Sequence, residues 1–420
     1  MQATAGEHNN YLEKIDCNDL KIGMYVQELD RPWIGTPFLF QGFRIRTEDE
    51  IHTISEYCEY VYINKSQEET VPGVFRTITP DTEPADSQIK AIAHAPIASS
   101  VYHDTMVVER ELDTARTIYR DSHVAIEQIF RAVQTDGVIN TDDARKTATG
   151  IVDSVLRNPD AFMLLSRIKN KGQYRYTHAI NCCAITAAFC RHLGFNRDEI
   201  HDYSMGALLL DIGMTKLPAS VIESHGPLNP LSIKLVRHHI DFGMEILSKT
   251  PDLPRTVHDM LLTHHERVSG KGYPDGLTAE NIPVSGRIAA IIDCYDALVS
   301  NRPHKKGIPP TDAICSMYNW RNVDFHEELV EQFIQCIGAY PTGSLIELNS
   351  GQIGIIMSQN RTHRLFPRIL LIMTADRVPY EKPHILDLWD HHKNTSGIEL
   401  EISKVVDADE LGIECSDYYL

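Results

Sequence analysis

Apolar residues recur every three or four positions through the middle of this chain. The pattern starts with HDTMVVERELDTARTIYRDSHVAIEQIFRAV and continues to about residue 340. This period places apolar side chains along one face of an α-helix, and Gly or Pro closes several of the segments. We therefore predict a helical domain over 101–340. After the first two segments, further helices are expected near 159–169, 175–193, 198–211, 230–248, 253–265, 284–300, 309–318 and 326–338.

The two ends of the chain follow a different pattern. Residues 1–65 contain alternating stretches such as EYVYINK and a helix near 47–57, which predicts a small mixed strand and helix domain. Residues 66–100 are rich in Pro, Ser, Ala and Asp without periodicity, which indicates a linker. GSLIELNSGQIGIIMSQN and FPRILLIMTAD predict three strands in a small β appendage over 341–400. Residues 401–420 are treated as a tail.

Composition and charge exclude some classes of partner. The formal net charge of -18 argues against binding DNA or RNA polymers, which requires a basic surface. Nine cysteines without a C-x-x-C pair favour free thiols in a reducing compartment. We find neither a signal peptide nor an apolar run of about 18 residues, so we expect a cytoplasmic protein without a membrane partner.

The stretch THHERVSGKGYPDGL carries the strongest chemical pattern. His264 and His265 are adjacent, so they lie about 100° apart on a helix and can share one cavity only near its end. Two neutral imidazoles there suit a divalent transition metal. Three glycines and Pro274 make the following loop tight and would display Tyr273. The alternative is a capped helix followed by an ordinary turn.

This segment, together with IPVSGRIAAIIDCYDALVSNRPHKK, resembles the HD-GYP family in the order and spacing of its parts. The resemblance covers about His178 to Val330. It implies a mainly α fold, an HD-type all-helical metal phosphohydrolase domain, here with a small N-terminal α/β domain and a C-terminal β appendage. It also implies a phosphodiesterase that hydrolyses cyclic di-GMP or a related cyclic dinucleotide. Both flanking segments resemble regions that accompany HD-GYP domains in some bacterial proteins.

The resemblance also implies a set of site residues. The metal ligands would be His178, Asp211, His239, His264, His265 and Asp293. Asp211 would be the catalytic, bridging carboxylate between two metals, which together supply a hydroxide and a clamp on developing negative charge. The substrate-binding residues would be Tyr273, Arg302 and Lys305. A structural ion pair is the alternative role for Asp293, because a buried carboxylate needs a partner.

The sequence departs from the family pattern at three positions. Leu210 stands where the family has the histidine of its His-Asp pair, and Met214 stands where it usually has a lysine. Tyr174 replaces the acidic residue of three-metal members, so a third metal is not expected. The literal pair His201-Asp202 lies nine residues before Leu210, roughly 13 Å away along a helix, and does not fit the register.

These departures affect one half of the expected site. The half with three histidines keeps every ligand, and the half with His178 and Asp293 loses one. We expect one firmly held divalent transition metal (Fe, Mn or another) and one weak or absent metal. The main hypothesis is a cyclic di-GMP phosphodiesterase of bacterial second-messenger signalling with reduced activity.

Two other functions stay open. The first is a non-catalytic cyclic-dinucleotide receptor or scaffold that docks a diguanylate-cyclase-type or other signalling protein. The second is hydrolysis of another cyclic dinucleotide, such as cyclic GMP-AMP. A homodimer is compatible with the sequence.

Overall fold

The computed structural model divides the chain into two compact units, residues 1–82 and 83–420. The structure describes residues 12–30, 43–45, 48–64, 102–167, 174–222, 229–302, 305–361, 363–394, 400–408 and 411–418. The predicted linker over 66–100 lies outside the described residues. Among the helices described, none is long and apolar enough to cross a membrane.

The first unit contains an antiparallel sheet and one helix, as the alternating pattern predicts. In chain order the elements are β1 (Leu12–Asp16), β2 (Tyr25–Leu29), β3 (Phe43–Arg44), α1 (Glu48–Tyr57) and β4 (Tyr60–Asn64). The strand order is β1-β4-β2-β3. Val26, Ile54, Val61 and Ile63 are fully buried and form its small core. The helix predicted near 47–57 is confirmed by α1.

The second unit opens with the predicted helical domain. Its helices are α2 (Val108–Asp136), α3 (Thr141–Arg157), α4 (Pro159–Leu165), α5 (Tyr174–His192), α6 (Arg197–Leu209), α7 (Ala219–Ile222), α8 (Pro230–Arg237), α9 (His239–Lys249), α10 (Arg255–Thr263), α11 (Val284–Val299), α12 (Pro310–Asn319) and α13 (Glu327–Ile337). The mainly α fold class is confirmed. All nine cysteines are free thiols.

Helix α5 is the central element of this domain. All its residues from Thr177 to Cys190 are buried, because α2, α3, α6 and α11 pack around it. A helix that is covered on every side has no polar stripe, so its apolar residues show no clear amphipathic period. Helix α6 packs against it and begins with a capping box in which Asn196 and Glu199 satisfy each other's backbone N–H groups.

The helix predicted over 230–248 is wrong as a single element. Helix α8 ends at Arg237 and α9 begins at His239, with His238 at the junction. The backbone of His238 stays near the helical region, with φ -68° and ψ -3°. The apolar period therefore continues across the break, which explains why the sequence does not reveal it.

The chain ends in a five-stranded antiparallel sheet. It contains β5 (Leu345–Leu348), β6 (Ile353–Ser358), β7 (Arg368–Met373), β8 (Pro379–Asp387) and β9 (Ile402–Val405), in the order β8-β7-β6-β5-β9, with helix α14 (Leu388–Asn394) between the last two strands. The predicted strands correspond to β5, β6 and β7. Strand β8 is mostly exposed and lacks an apolar alternation. Strand β9 pairs with β5 and lies in the segment that the sequence set apart as a tail.

A buried carboxylate connects the sheet region to the helices. Asp160 in α4 is 2% exposed. It accepts hydrogen bonds from the Thr342 hydroxyl at 2.9 Å, from the Gln359 backbone N–H at 3.1 Å and from Nη2 of Arg361 at 2.7 Å. Hydrogen bonds to a charged group are stronger than those between neutral groups, so this cluster holds the β6–β7 connection against α4.

We predict that Asp160→Ala lowers the free energy of unfolding by about 3 kcal/mol, because it removes an ion pair with Arg361 and takes the acceptor from the Thr342 hydroxyl and the Gln359 N–H. Urea denaturation followed by circular dichroism measures this. Asp121→Ala removes a carboxylate that is 69% exposed and should change stability by less than about 0.5 kcal/mol. Equal effects of the two substitutions would contradict the assigned role of Asp160.

Candidate metal centre

Six side chains from five separate parts of the helical domain meet at one place. They are His178 in α5, Asp211 just after α6, His239 at the start of α9, His264 and His265 just after α10, and Asp293 in α11. All six were identified from the sequence. Asp211 lies in the turn that enters a short 3-10 helix, Ile212–Lys216, which packs against α9.

Three imidazoles form a compact group. Ring nitrogens of His239, His264 and His265 lie within 4.8 Å of one another. The Nε2 atoms of His239 and His264 are 3.4 Å apart. His239 donates through Nδ1 to the Val236 carbonyl at 2.7 Å, and His264 does the same to Leu261 at 2.8 Å. In neutral rings this fixes the proton on Nδ1, so both Nε2 lone pairs face the same small space.

The Asp211 carboxylate lies between this group and a second one. Its Oδ1 is 3.4 Å from His239 Nε2 and 4.0 Å from His264 Nε2. Its Oδ2 is 3.7 Å from His178 Nε2. The two oxygens therefore face different histidines, which is the arrangement that a bridging carboxylate requires.

The second group is built around His178. Its Nε2 lies 3.2 Å from Asp293 Oδ1. Its Nδ1 lies 2.7 Å from Asp296 Oδ2, and Asp296 is 1% exposed. A carboxylate on the far nitrogen orients an imidazole and makes it more basic, as in many metal sites. Asp293 also reaches toward the first group, with Oδ2 3.7 Å from His265 Nδ1.

The charges of these residues follow from their surroundings. Burial lowers the pKa of His264, and it lowers that of His265 well below its usual value, so both rings are neutral at pH 7. Burial also acts to lower the pKa of His178, but Cys182, Tyr174, Asp293 and Asp296 outweigh it and raise that pKa well above 6.5. Burial acts to raise the pKa of Asp293, but the hydrogen bond from His178 and the interactions with His265 and His264 together outweigh it and hold that pKa well below 3.8.

This donor set fits a divalent transition metal. Two opposed lone pairs at 3.4 Å, with a carboxylate oxygen beside them, are electrostatically unfavourable unless a cation shares the space. Imidazole and carboxylate ligands suit Fe, Mn and Zn rather than a soft metal. His178 and Asp293 would pair with each other without a metal and could ligate one after His178 loses its proton.

Comparison with known proteins identifies the fold and family. Residues 163–327 match the HD domain family, and residues 12–144 match a domain of unknown function, DUF3391. The chain is 30% identical over 380 residues to the cyclic di-GMP phosphodiesterase PA4108 of Pseudomonas aeruginosa, covering 90% of this chain and 89% of that protein. This protein belongs to the HD-GYP family.

Two more distant similarities accompany this one. The chain is 30% identical over 151 residues to 3'3'-cGAMP-specific phosphodiesterase 2 of Vibrio cholerae, covering 35% of this chain and 27% of that protein. A solved structure of Bd1817, an HDG"Y"P protein from Bdellovibrio bacteriovorus, matches with a TM-score of 0.46 and 16% identity. It covers 77% of this chain and 98% of that chain.

The loop that carries Gly272, Tyr273 and Pro274, called the GYP loop below, is held in place by a residue that the sequence analysis did not identify. Glu266 is 1% exposed and accepts hydrogen bonds from the backbone N–H groups of Asp275, Gly276 and Leu277 at 2.8, 3.1 and 2.9 Å. The loop holds the ring of Tyr273 stacked on His265, with ring centroids 4.6 Å apart. The GYP loop is therefore held by Glu266, the residue directly after the proposed ligand His265.

The two basic residues predicted to bind substrate, Arg302 and Lys305, differ in burial and in their contacts. Arg302 is half-buried, and its guanidinium lies over the ring of Tyr174, 5.4 Å from its centroid. Tyr174 in turn stacks on His178 at 5.4 Å. Lys305 is exposed and pairs with Arg302 through two backbone hydrogen bonds. Tyr174, which stands where three-metal members of the HD-GYP family have an acidic residue, therefore packs between Arg302 and His178.

Two of the three positions that depart from the family pattern, Leu210 and Met214, lie beside Asp211. Leu210 is 2% exposed, and Met214 is half-buried in the 3-10 helix. Lys216 is exposed and interacts electrostatically with Glu245. The sequence analysis did not identify Asp296 as the hydrogen-bond partner of His178, although Asp296 lies three residues after Asp293. That i, i+3 spacing on one helix was the signal available for it.

Gly213 allows Asp211 to take its position. A Cβ atom at this residue would overlap the backbone of His239 and Gly243 in α9. The 3-10 helix therefore packs directly, backbone to backbone, against the first turn of α9. This contact sets the separation between Asp211 and His239.

We predict that Gly213→Ala lowers the free energy of unfolding by about 2–3 kcal/mol, because the backbones must separate. Metal bound by the purified protein should fall as well, measured by plasma mass spectrometry. Gly150→Ala is the matched control. Its Cβ would lie 3.6 Å from Ile118 Cγ2, an ordinary contact, and alanine is the better helix former. Normal metal content and stability in Gly213→Ala would contradict the prediction.

Proposed function

We propose that this protein is a metal-dependent phosphodiesterase that hydrolyses cyclic di-GMP, at a reduced rate compared with members that keep the full motif. The observation that carries this proposal is the position of Asp211, with one oxygen toward His239 and the other toward His178. That arrangement joins a complete ligand group to a second, incomplete one. The similarity to PA4108 over nearly the whole of both chains supports the same activity.

Each side chain has a role that its position supports. His239, His264, His265 and Asp211 would hold the firm metal, and His178 and Asp293 with Asp211 would hold the weak one. Metal ions bound there would supply a nucleophilic hydroxide at neutral pH and neutralise charge on the phosphate. Iron or manganese is the proposed metal, since imidazole and carboxylate donors suit both.

The substrate would be positioned by the surfaces around these ligands. Tyr273 presents a ring to a guanine base at the edge of the site, with the Arg237 guanidinium 4.7 Å from its centroid. Arg302 carries a buried Nε atom without a hydrogen-bond partner among the described residues. A phosphate oxygen is a suitable acceptor for it. Lys305 is exposed next to Arg302 and would contribute attraction at longer range.

The proposed reduction in rate comes from the flank of Asp211. A leucine at 210 cannot ligate, and Met214 cannot stabilise negative charge on the phosphate. The same two residues favour the second candidate, a receptor that binds a cyclic dinucleotide without turnover. Cyclic GMP-AMP is the alternative substrate, because a V. cholerae relative is named as specific for it. We place the protein in the bacterial cytoplasm, where these messengers act, and leave a signalling-protein partner and a homodimer as proposals.

We expect purified protein with added manganese or iron to convert cyclic di-GMP to a linear product. His264→Ala should reduce the rate by at least about 100-fold, because removing a direct ligand exceeds the usual effect of disturbing a residue behind one. Liquid chromatography of the reaction measures both rates. The matched control is His258→Ala on α10, the helix that ends directly before His264, where the ring bonds the Pro254 carbonyl. Tight binding of cyclic di-GMP without any product above the His264→Ala level would establish the receptor instead.

We expect Leu210→His to raise the bound metal toward two equivalents and to increase the hydrolysis rate. Leu210 is buried directly before the bridging residue, so an imidazole there completes the weak ligand group. Leu210→Ala opens similar space without a ligand and should stay near one equivalent. The test is the number of metal equivalents bound by the unaltered protein and the two variants. Equal metal contents would contradict the proposal that one ligand group lacks a ligand at position 210.

A further inference from the structure

A second cavity of about 440 Å³ lies between the helical domain and the loops of the C-terminal sheet. Its walls come from α4, α5, α11, α13 and the β6–β7 connection. None of the six proposed metal ligands, and none of the three proposed substrate-binding residues, lines it. Its volume is in the range of small-molecule sites.

Four arginines line this cavity, and two of them have carboxylate partners. Arg361 pairs with Asp160 at 2.7 Å and with Asp104 at 3.8 Å. Arg191 pairs through Nη2 with Asp104 at 2.7 Å. The Arg191 side chain is only 8% exposed, and its Nε is buried without a hydrogen-bond acceptor among the described residues. A buried guanidinium nitrogen without an acceptor is costly, and a bound ligand oxygen would satisfy it.

The other two arginines add charge that is not compensated. Within the described part of the chain, no carboxylate lies within ion-pair distance of Arg167 or Arg364. Arg167 interacts with Tyr295, which also lines the cavity. Arg364 is half-buried, and this partial loss of hydration lowers its pKa because no nearby carboxylate offsets it. Holding such a charge at a cavity wall is unfavourable until an anion enters.

Part of the remaining wall is apolar. Met163, Ile185, Ala188 and Val299 contribute it from three helices. Among the described residues His192 also lies there, and burial lowers its pKa to about 4, so it is neutral at pH 7. A cavity whose walls present both guanidinium groups and hydrocarbon matches a ligand with one anionic group on an apolar body.

We propose that this cavity is a binding site for a small organic anion, a phosphate or carboxylate group on an apolar or aromatic body. The anionic group lies against Arg191, Arg364 and Arg167, and the body lies against the apolar wall. One wall residue, Asp296, is also the hydrogen-bond partner of His178. A ligand here therefore contacts a residue that positions the metal centre, without occupying that centre.

Isothermal titration calorimetry of the full chain with phenyl phosphate tests the proposal. We expect a binding event that depends on the cavity arginines, with inorganic phosphate binding there at least fivefold more weakly because it lacks the apolar body. Arg364→Gln should weaken phenyl phosphate binding at least fivefold. Arg364 is half-buried and makes no ion pair with the described residues, so this variant should fold normally. Arg167→Gln should also weaken phenyl phosphate binding and is a second, independent test.

Two control variants separate this site from the surface and from the metal centre. Arg120→Gln removes an exposed arginine on α2, and Arg302→Gln removes the basic residue beside Tyr174. Arg120→Gln should bind phenyl phosphate as the unaltered protein does, and Arg302→Gln should keep the binding that Arg364→Gln weakens. The proposal is overturned if phenyl phosphate does not bind, if both cavity variants bind it normally, or if Arg302→Gln alone loses it. None of these outcomes depends on hydrolysis of a cyclic dinucleotide.

Discussion

The position of the Asp211 carboxylate, between two groups of histidines, is the constraint on which the rest of this protein depends. Its oxygens lie 3.4 Å from His239 and 3.7 Å from His178, which belong to different helices. That position exists because the backbone after Asp211 packs directly on α9, where only glycine fits at 213. The local fold of one short turn therefore decides whether two ligand groups share a carboxylate or stand apart.

Buried acidic side chains recur as fixing points around this centre. Asp296 orients His178, Glu266 holds the GYP loop by three backbone N–H groups, and Asp160 connects the helices to the sheet region. Each of these carboxylates is nearly inaccessible and has its oxygens occupied by donors. A buried carboxylate is tolerated only when it is paired in this way, so these contacts are directional and hold their partners in one geometry.

The changes at Leu210 and Met214 remove none of the ligands of the three-histidine group. Its rings are positioned by α9 and α10 and by the hydrogen bonds of His239 and His264 to the backbone carbonyls of Val236 and Leu261. A loss on one flank can therefore leave the other flank intact. The same reasoning explains why the domain remains well packed, since leucine at 210 adds apolar volume to a buried position.

The sequence by itself determined the helical domain and the three strands with apolar alternation, because period is a local property, and its resemblance to the HD-GYP family implied the six residues that meet at the centre. It did not determine the break at His238, where the backbone stays close to helical, or β8, whose exposed residues carry no pattern. Asp296 and Glu266 gain their roles only from tertiary contacts, His178 and Asp296 being 118 residues apart. The arginine-lined cavity likewise exists only where α5, α11 and the β6–β7 connection meet. Such long-range contacts depend on how the elements pack, and local periodicity carries no information about that packing.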